Sequence, residues 1–238
     1  MGNPDKIQFF VTAPHECSYI SGREATAIFA DPYTPMNPKT FSNLTEMGFR
    51  RSGDFIYKPQ CASCQACIPV RVPAESFQAN KNQRRVLKKN QDIRVTAARA
   101  EFRDEDYKLY EQYINGRHHD GGMHPPTHKQ YTAFLLSDWS ESLFFRFYLG
   151  DQLLCVAVAD RLSNGLSAVY TYFDTAHASR SLGTYAILWQ IQFCKTKNLQ
   201  HLYLGYWVAE CRKMSYKNQF HPTEQLINNQ WVFPVAQQ

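Results

Sequence analysis

FFRFYL (Phe144–Leu149), LLCVAVADRL (Leu153–Leu162) and LSAVYTYFD (Leu166–Asp174) decide the fold. The first run ends at Gly150-Asp151 and the second at Asn164-Gly165. Such turns between apolar, β-branched and aromatic runs signal hairpins, because glycine and asparagine tolerate the positive φ of tight turns. The three runs therefore predict an antiparallel meander. The period then changes. Within Ser179–Lys197, Leu182, Tyr185, Ala186, Trp189 and Phe193 form one stripe of an amphipathic helix. A strand-like HLYLGYWV (His201–Val208) follows, and then a short basic segment, ECRKMSYK (Glu210–Lys217).

Meander, helix, strand, short helix is an α+β order, with a mixed, mostly antiparallel sheet flanked by helices. It resembles the core of GNAT-type acyltransferases, which implies an acyl donor held at the helix N-terminus and the splayed strand ends. A small cysteine-containing region precedes it. The expected division is 1–78 for that region, 79–103 for a basic connector and 104–238 for the transferase core.

The 238 residues, 44% hydrophobic and 14% aromatic, suffice for a real core. No apolar run approaches the roughly 20 residues needed to cross a bilayer. The start, MGNPDKIQFF, shows no signal-peptide core, and Lys6 breaks a myristoylation pattern. A cytoplasmic protein without a membrane partner is expected. Its seven cysteines then read as thiols or metal ligands before disulfides.

Toward the N-terminus, Ile7–Val11 suggests a buried strand and Gly22–Ala30 a short helix. Asn37-Pro38 opens a helix that Gly48 ends, and Ser52-Gly53-Asp54 turns a hairpin. Cys61, Cys64 and Cys67, with Cys17 from an earlier loop, could supply four thiolates to a structural zinc ion or iron–sulfur cluster. A metal-free, thiol-rich turn fits the same spacing. Between Lys81 and Arg103, eight Lys or Arg face only Asp92 and Glu101. Arg84 with Lys88, and Arg85 with Lys89, would form cationic rows on a helix while Val86 and Leu87 turn inward. A solvated face is the plain reading; an uncompensated patch of this size points to nucleic-acid phosphates. Asp104–His118 and Lys129–Leu136 read as helices around a glycine-rich loop, whose His118, His119, His124 and His128 could form an acid–base or metal cluster but read first as surface or capping residues.

Several segments together resemble bacterial aspartate/glutamate leucyltransferases, relatives of the arginyl-tRNA–protein transferases. They include the Cys17–Ile20 stretch, MGFRRSGD, CQACIPVR, QRRVLKKN, GLSAVYTYFD, RSLGTYAILWQIQ and LYLGYWV with CRKMSYK, in family order. The resemblance implies transfer of leucine from leucyl-tRNA to proteins beginning with Asp or Glu, marking them for degradation, with no DNA partner. Eukaryotic relatives carry four cysteines as CysxxCys and an adjacent pair. Cys17 and Cys64 match, whereas Ile20 and Gln65 occupy the other two positions.

An aminoacyl-tRNA is already an activated ester, so peptide-bond formation requires no cofactor. The acceptor α-amine, of pKa about 7.7–8.0, is partly neutral at pH 7. Positioning it on the ester can lower the barrier by ~7–11 kcal/mol in well-aligned cases. Asp174 and then Tyr172, near the third strand's end, are candidate bases, although ordinary strand-end chemistry accounts for both. Arg23, Arg71, Arg180, Arg212, Lys213 and Lys217 form the pool of cations for an acidic acceptor or the tRNA 3′ end. Lys213 and Lys217, with Tyr206, Trp207 and Tyr216, are expected to wall the reaction site. Two alternatives compete. A coenzyme-A-dependent acetyltransferase would need small residues where Tyr185 crowds the diphosphate; a non-catalytic RNA-binding protein leaves Tyr206–Lys217 without a role.

Overall fold

The computed structural model describes residues 7–119 and 121–234. The opening six residues, which carry the signal-peptide and myristoylation readings, lie outside the described residues. So does Asp120 of the glycine-rich loop. In chain order the elements are β1 (Phe9–Val11), β2 (His15–Glu16), β3 (Glu24–Ala25), β4 (Ala27–Ala30), α1 (Pro38–Glu46), β5 (Arg50–Ser52), β6 (Phe55–Pro59), β7 (Ile68–Pro73), α2 (Lys81–Lys89) and β8 (Ile93–Arg99). Then come α3 (Asp104–Arg117), α4 (His128–Leu135), β9 (Ser142–Leu149), β10 (Gln152–Arg161), β11 (Gly165–Phe173), α5 (Leu182–Thr196), β12 (His201–Trp207), α6 (Arg212–Ser215), β13 (Glu224–Ile227) and β14 (Gln230–Val232).

The expected meander is β9–β10–β11, and the helix after it is α5. Together with β7, β8 and β12–β14 they form an eight-stranded sheet in the order β14-β13-β7-β12-β11-β10-β9-β8. Every neighbouring pair is antiparallel except β11 and β12, which run parallel because the α5 crossover joins them. The fold is thus mixed α+β around a mostly antiparallel sheet. That sheet draws β7 from segment 1–78 and β8 from 79–103, so strand pairing joins all three stretches.

Both faces of the meander are covered, which is why its strands read as continuous apolar runs. Phe145 and Phe147 pack with α5 residues Tyr185, Ala186 and Ile191 in one core cluster. Phe144 and Tyr148, on alternate positions, join Tyr107, Tyr110, Tyr113 and Tyr131 from α3 and α4 in another. Arg146 shares this second face and is fully buried, so it needs an anion; Asp106 of α3 answers with contacts of 2.6–3.0 Å. A second buried pair fixes β5 to β10. Arg51 donates to both oxygens of Asp160 at 2.6 and 2.8 Å.

Two expectations require correction, and two further elements had no expectation. Gly22–Ala30 is not a helix but carries the strands β3 and β4: Phe29 pairs with Tyr57 of β6 and stacks on its ring at 5.7 Å, so cross-strand contacts outweigh local helix propensity. β1 is a strand but an edge strand, with Phe9, Phe10 and Val11 at 42%, 54% and 66% exposure rather than buried. β8 was hidden in the basic stretch. The β13–β14 hairpin also escaped, although Asn228 and Asn229 carry φ of 50° and 61°, the left-handed pair that tight hairpin turns favour.

Candidate functional site

β11 and β12 stay paired for only three positions, Gly165–Ser167 against His201–Tyr203, and then part. A cationic side chain meets a backbone carbonyl of each strand beyond this point. Ala168 of β11 accepts from an Arg50 Nη, and Tyr206 of β12 accepts from Lys217 Nζ at 2.9 Å. Arg50 also donates to Ser167 Oγ at 2.8 Å.

The seat for Arg50 is built into β12. Its register slips between Tyr203 and Gly205, where the backbone takes φ +78°. A Cβ there would lie 3.1 Å from Arg50 Nε and 3.2 Å from Cζ, so only glycine combines this φ with this approach. Lys217 follows α6 on a short 3-10 turn, Tyr216–Gln219, and is 8% exposed. Burial and the neighbouring Arg50 charge lower its pKa from the ordinary 10.5 to about 7. Tyr206 is buried and donates to the Gly48 carbonyl at 2.8 Å. Tyr216 is half-exposed at 42%.

Two sequence-chosen residues are thus joined at the parting, Tyr206 and Lys217. Lys213 is not on the same side. Lys217 turns inward while Lys213 and Arg212 stay exposed on α6, because α6 gives way to a 3-10 turn instead of continuing for a second helical turn. Trp207 packs partly buried against the core. Tyr172 is fully enclosed and shares a 2.9 Å hydrogen bond with Tyr131, which removes it as a base. Asp174 caps the Thr175–Arg180 turn, accepting from Ala176 N at 2.8 Å and facing His177 Nδ1 at 3.0 Å.

The other arginines of the pool are held by carboxylates. Arg71 lies between Glu46 and Glu224 and against the Trp231 ring at 4.3 Å. Arg180 takes both oxygens of Asp92 at 2.9 Å, and Arg23 faces Glu210 at 3.6 Å. Arg50 is absent from the pool of cations the sequence offers. The readable signal was Arg50-Arg51 itself: neighbouring strand residues point to opposite sides, so at most one could serve the Asp160 pair.

α2 bears out the inward turn of Val86 and Leu87, which pack on the core while Arg84, Arg85, Lys88 and Lys89 are exposed. Asn80 and Gln83 close the helix start as a capping box.

The cysteines gather without forming a cage. Cys61 and Cys64 bridge through their backbones, and Arg23 donates to Cys64 Sγ at 3.4 Å. Burial, together with Cys17, Cys61, Cys64 and Cys211 around it, pushes the Cys67 thiol of the metal-free protein up to about 12. Among the described residues no group of three or more His, Cys, Asp or Glu is arranged to hold a metal ion. By that arrangement the side chains of Cys17, Cys61, Cys64 and Cys67 do not form a metal centre here.

Comparison with known proteins defines the class first. Residues 15–85 match the family model for the N terminus of arginine-tRNA-protein transferase, and residues 105–227 match that for its C terminus. The chain belongs to this family and is an aminoacyl-tRNA–protein transferase, an enzyme. Among its relatives, the aspartate/glutamate leucyltransferases of Pseudomonas putida and Pseudomonas entomophila are 49% identical, and that of Pseudomonas fluorescens 47%. Each alignment spans 227 residues, 95% of this chain and 97% of the relative. Two solved structures share a partial likeness. L-PGS from Bacillus licheniformis gives a TM-score of 0.46 at 9% identity, over 61% of this chain and 48% of that one. The C-terminal domain of a putative lysylphosphatidylglycerol synthetase from Agrobacterium fabrum gives 0.46 at 10%, over 61% and 47%.

Proposed function

We propose that this enzyme transfers leucine from leucyl-tRNA to the α-amine of proteins beginning with Asp or Glu, on a GNAT-like core, as an N-degron step in the cytoplasm. The specificity named for its near-full-length relatives supports this reading. The observation that carries the chemistry is the parting of β11 and β12, where Lys217 and Arg50 lie on the strand carbonyls. No described helix is long and apolar enough to cross a membrane.

In the proposed reaction the acceptor enters at the parting and the α-ammonium gives its proton to Lys217 Nζ. Lys217 can accept it because its pKa lies near 7. The freed amine attacks the ester carbonyl of the aminoacyl-tRNA, the new C–N bond forms, and the C–O bond to the terminal ribose breaks. The attacking nitrogen loses a second proton as it becomes the amide, and the departing ribose oxygen takes one up, so the protons balance. Neither metal nor coenzyme enters these steps. Tyr206 and Tyr216 flank Lys217, and exposed Lys213, Arg212, Arg84, Arg85, Lys88 and Lys89 are proposed to meet tRNA phosphates. In this proposal 1–78 is the cysteine-containing N-terminal transferase region, 79–103 the basic connector and 104–238 the transferase core.

The coenzyme-A reading loses its original counterargument. Tyr185 is buried against Phe147 at 5.6 Å between ring centres, so it does not crowd a diphosphate. What disfavours that reading is the family itself. A transfer assay supplies the test: leucyl-tRNA or arginyl-tRNA is mixed with peptides beginning Asp, Glu, Lys or Ala. Leucine on the first two alone is expected; arginine transfer or equal labelling of all four overturns the assignment.

A further inference from the structure

Arg50 and Arg161 are both half-buried and face no carboxylate among the described residues, and of the two it is Arg50 that donates to β11 beyond its pairing with β12. Arg51, Arg71, Arg146 and Arg180 each face a carboxylate at 2.9 Å or less. No carboxylate among the described residues pairs with Arg50, although it is half-buried. Among the titratable groups that respond to its charge are Tyr19, Tyr57, Tyr206, Tyr216 and Lys217, none of them a carboxylate. Its recorded hydrogen bonds go to Ser167 Oγ and the Ala168 carbonyl. A guanidinium has five N–H donors, so three remain. Taking such a charge partly out of water without an anion is costly, and here a positive-φ glycine is needed to seat it. A second cation, Lys217, lies within electrostatic reach.

We propose that Arg50 reads the acidic side chain of the acceptor, its guanidinium taking the Asp or Glu carboxylate where β11 and β12 part. The planar fork matches a carboxylate in two parallel hydrogen bonds, which an uncharged amide of the same shape cannot reproduce. Ser167 and Ala168 hold the fork from one side. An Asp or Glu side chain is short, so a carboxylate seated on Arg50 brings its own α-amine toward Lys217. Recognition and proton removal then share one opening, and an acceptor lacking the acid is misplaced as well as weakly held.

This inference rests on the proposed reaction at that opening, and two measurements separate them. The first compares kcat/KM for peptides beginning Asp and Asn in wild type and Arg50→Gln enzyme. Glutamine keeps a donor for the Ala168 carbonyl but loses the charge. The Asp-starting peptide should lose on the order of ten- to a hundred-fold, while the Asn-starting peptide changes little. An unchanged Asp-to-Asn ratio overturns the proposal, as does an equal loss on both peptides in a normally melting variant. The second needs no substitution and no tRNA. Wild-type enzyme is treated with phenylglyoxal and modification at Arg50 is mapped by mass spectrometry. An Asp-starting peptide should protect Arg50 and an Asn-starting one should not. Equal protection by both, or an Arg50 that never reacts in the free enzyme, sinks the assignment even if the variant fails to fold. Protection without any leucine transfer would leave Arg50 as the reader and dismiss the proposed reaction instead.

Discussion

Arg50 and Arg51 are neighbours in β5, yet they serve opposite regions of the molecule. Arg51 points into the interior, 5% exposed, where Asp160, Ser142 Oγ and the Gly53 and Leu135 carbonyls take its donors. Arg146 and Asp106 repeat the arrangement between β9 and α3. At the parting of β11 and β12 the pattern stops: Arg50 and Lys217 are drawn in without a carboxylate. Arg51 and Arg146, which tie elements of the fold together, each have their anion. At the parting, the substrate is proposed to bring it.

The interior half of this contrast should break most visibly. Arg51→Ala leaves Asp160 buried and unpaired, and loss of about 3–5 kcal/mol of stability is expected in chemical denaturation. Replacing both partners, Arg51→Met with Asp160→Leu, should recover most of that loss, because no orphan charge remains. A double variant as unstable as the single one would mean that Arg51 matters for its carbonyl contacts rather than for the pair.

The same contrast explains what could be read from sequence. The meander, α5, the capped α1 and the exposed face of α2 rest on local patterns: hairpin turns, a helical stripe, Asn37 before Pro38. The pairing of charges does not. Arg71 meets Glu46 and Glu224, and Arg180 meets Asp92, across separations that no spacing rule spans. A list of cations therefore mixed structural arginines with functional ones. Arg50 was missed for the complementary reason, since its importance lies in what it lacks. Lys217 was chosen by position, but its burial depends on the break between α6 and the 3-10 turn.

Lys217 offers a medium-sized, pH-dependent effect. In the folded protein its pKa is near 7, against an ordinary 10.5. Below pH 7 the amine is charged in both states and the full cost of burying it stands. Between 7 and 10.5 the unfolded chain binds more protons, so stability rises with pH, and above 10.5 the cost is gone. Lys217→Met abolishes this slope. Wild type should gain on the variant by up to about 2.7 kcal/mol between pH 7 and 9. Parallel stability curves would place the amine in water. In wild type, kcat/KM for transfer should rise through about pH 7 as Lys217 loses its proton, and the Met variant should transfer poorly at every pH.

The smallest stability effect is expected where unpaired cations stand in water. Arg84, Arg85, Lys88 and Lys89 are exposed on α2, where solvent screens their mutual repulsion, and replacing each by Ala should change stability by no more than about 0.5 kcal/mol. Lys89 Nζ does donate to the Ser179 carbonyl at 2.7 Å, and Arg84 Nη1 to Ala79 at 2.6 Å. Those bonds leave the charges available to a phosphate. The quadruple alanine variant should therefore melt nearly as wild type does while binding tRNA more weakly. Its binding should also lose salt dependence, by about one unit of log–log slope for each phosphate contact removed. Arg50→Gln should leave that slope alone, because its partner is an acceptor carboxylate and not the tRNA backbone. If the quadruple variant keeps the wild-type slope, α2 is a solvated face. If Arg50→Gln flattens the slope instead, the unpaired cation at the strand parting serves the donor and not the acceptor.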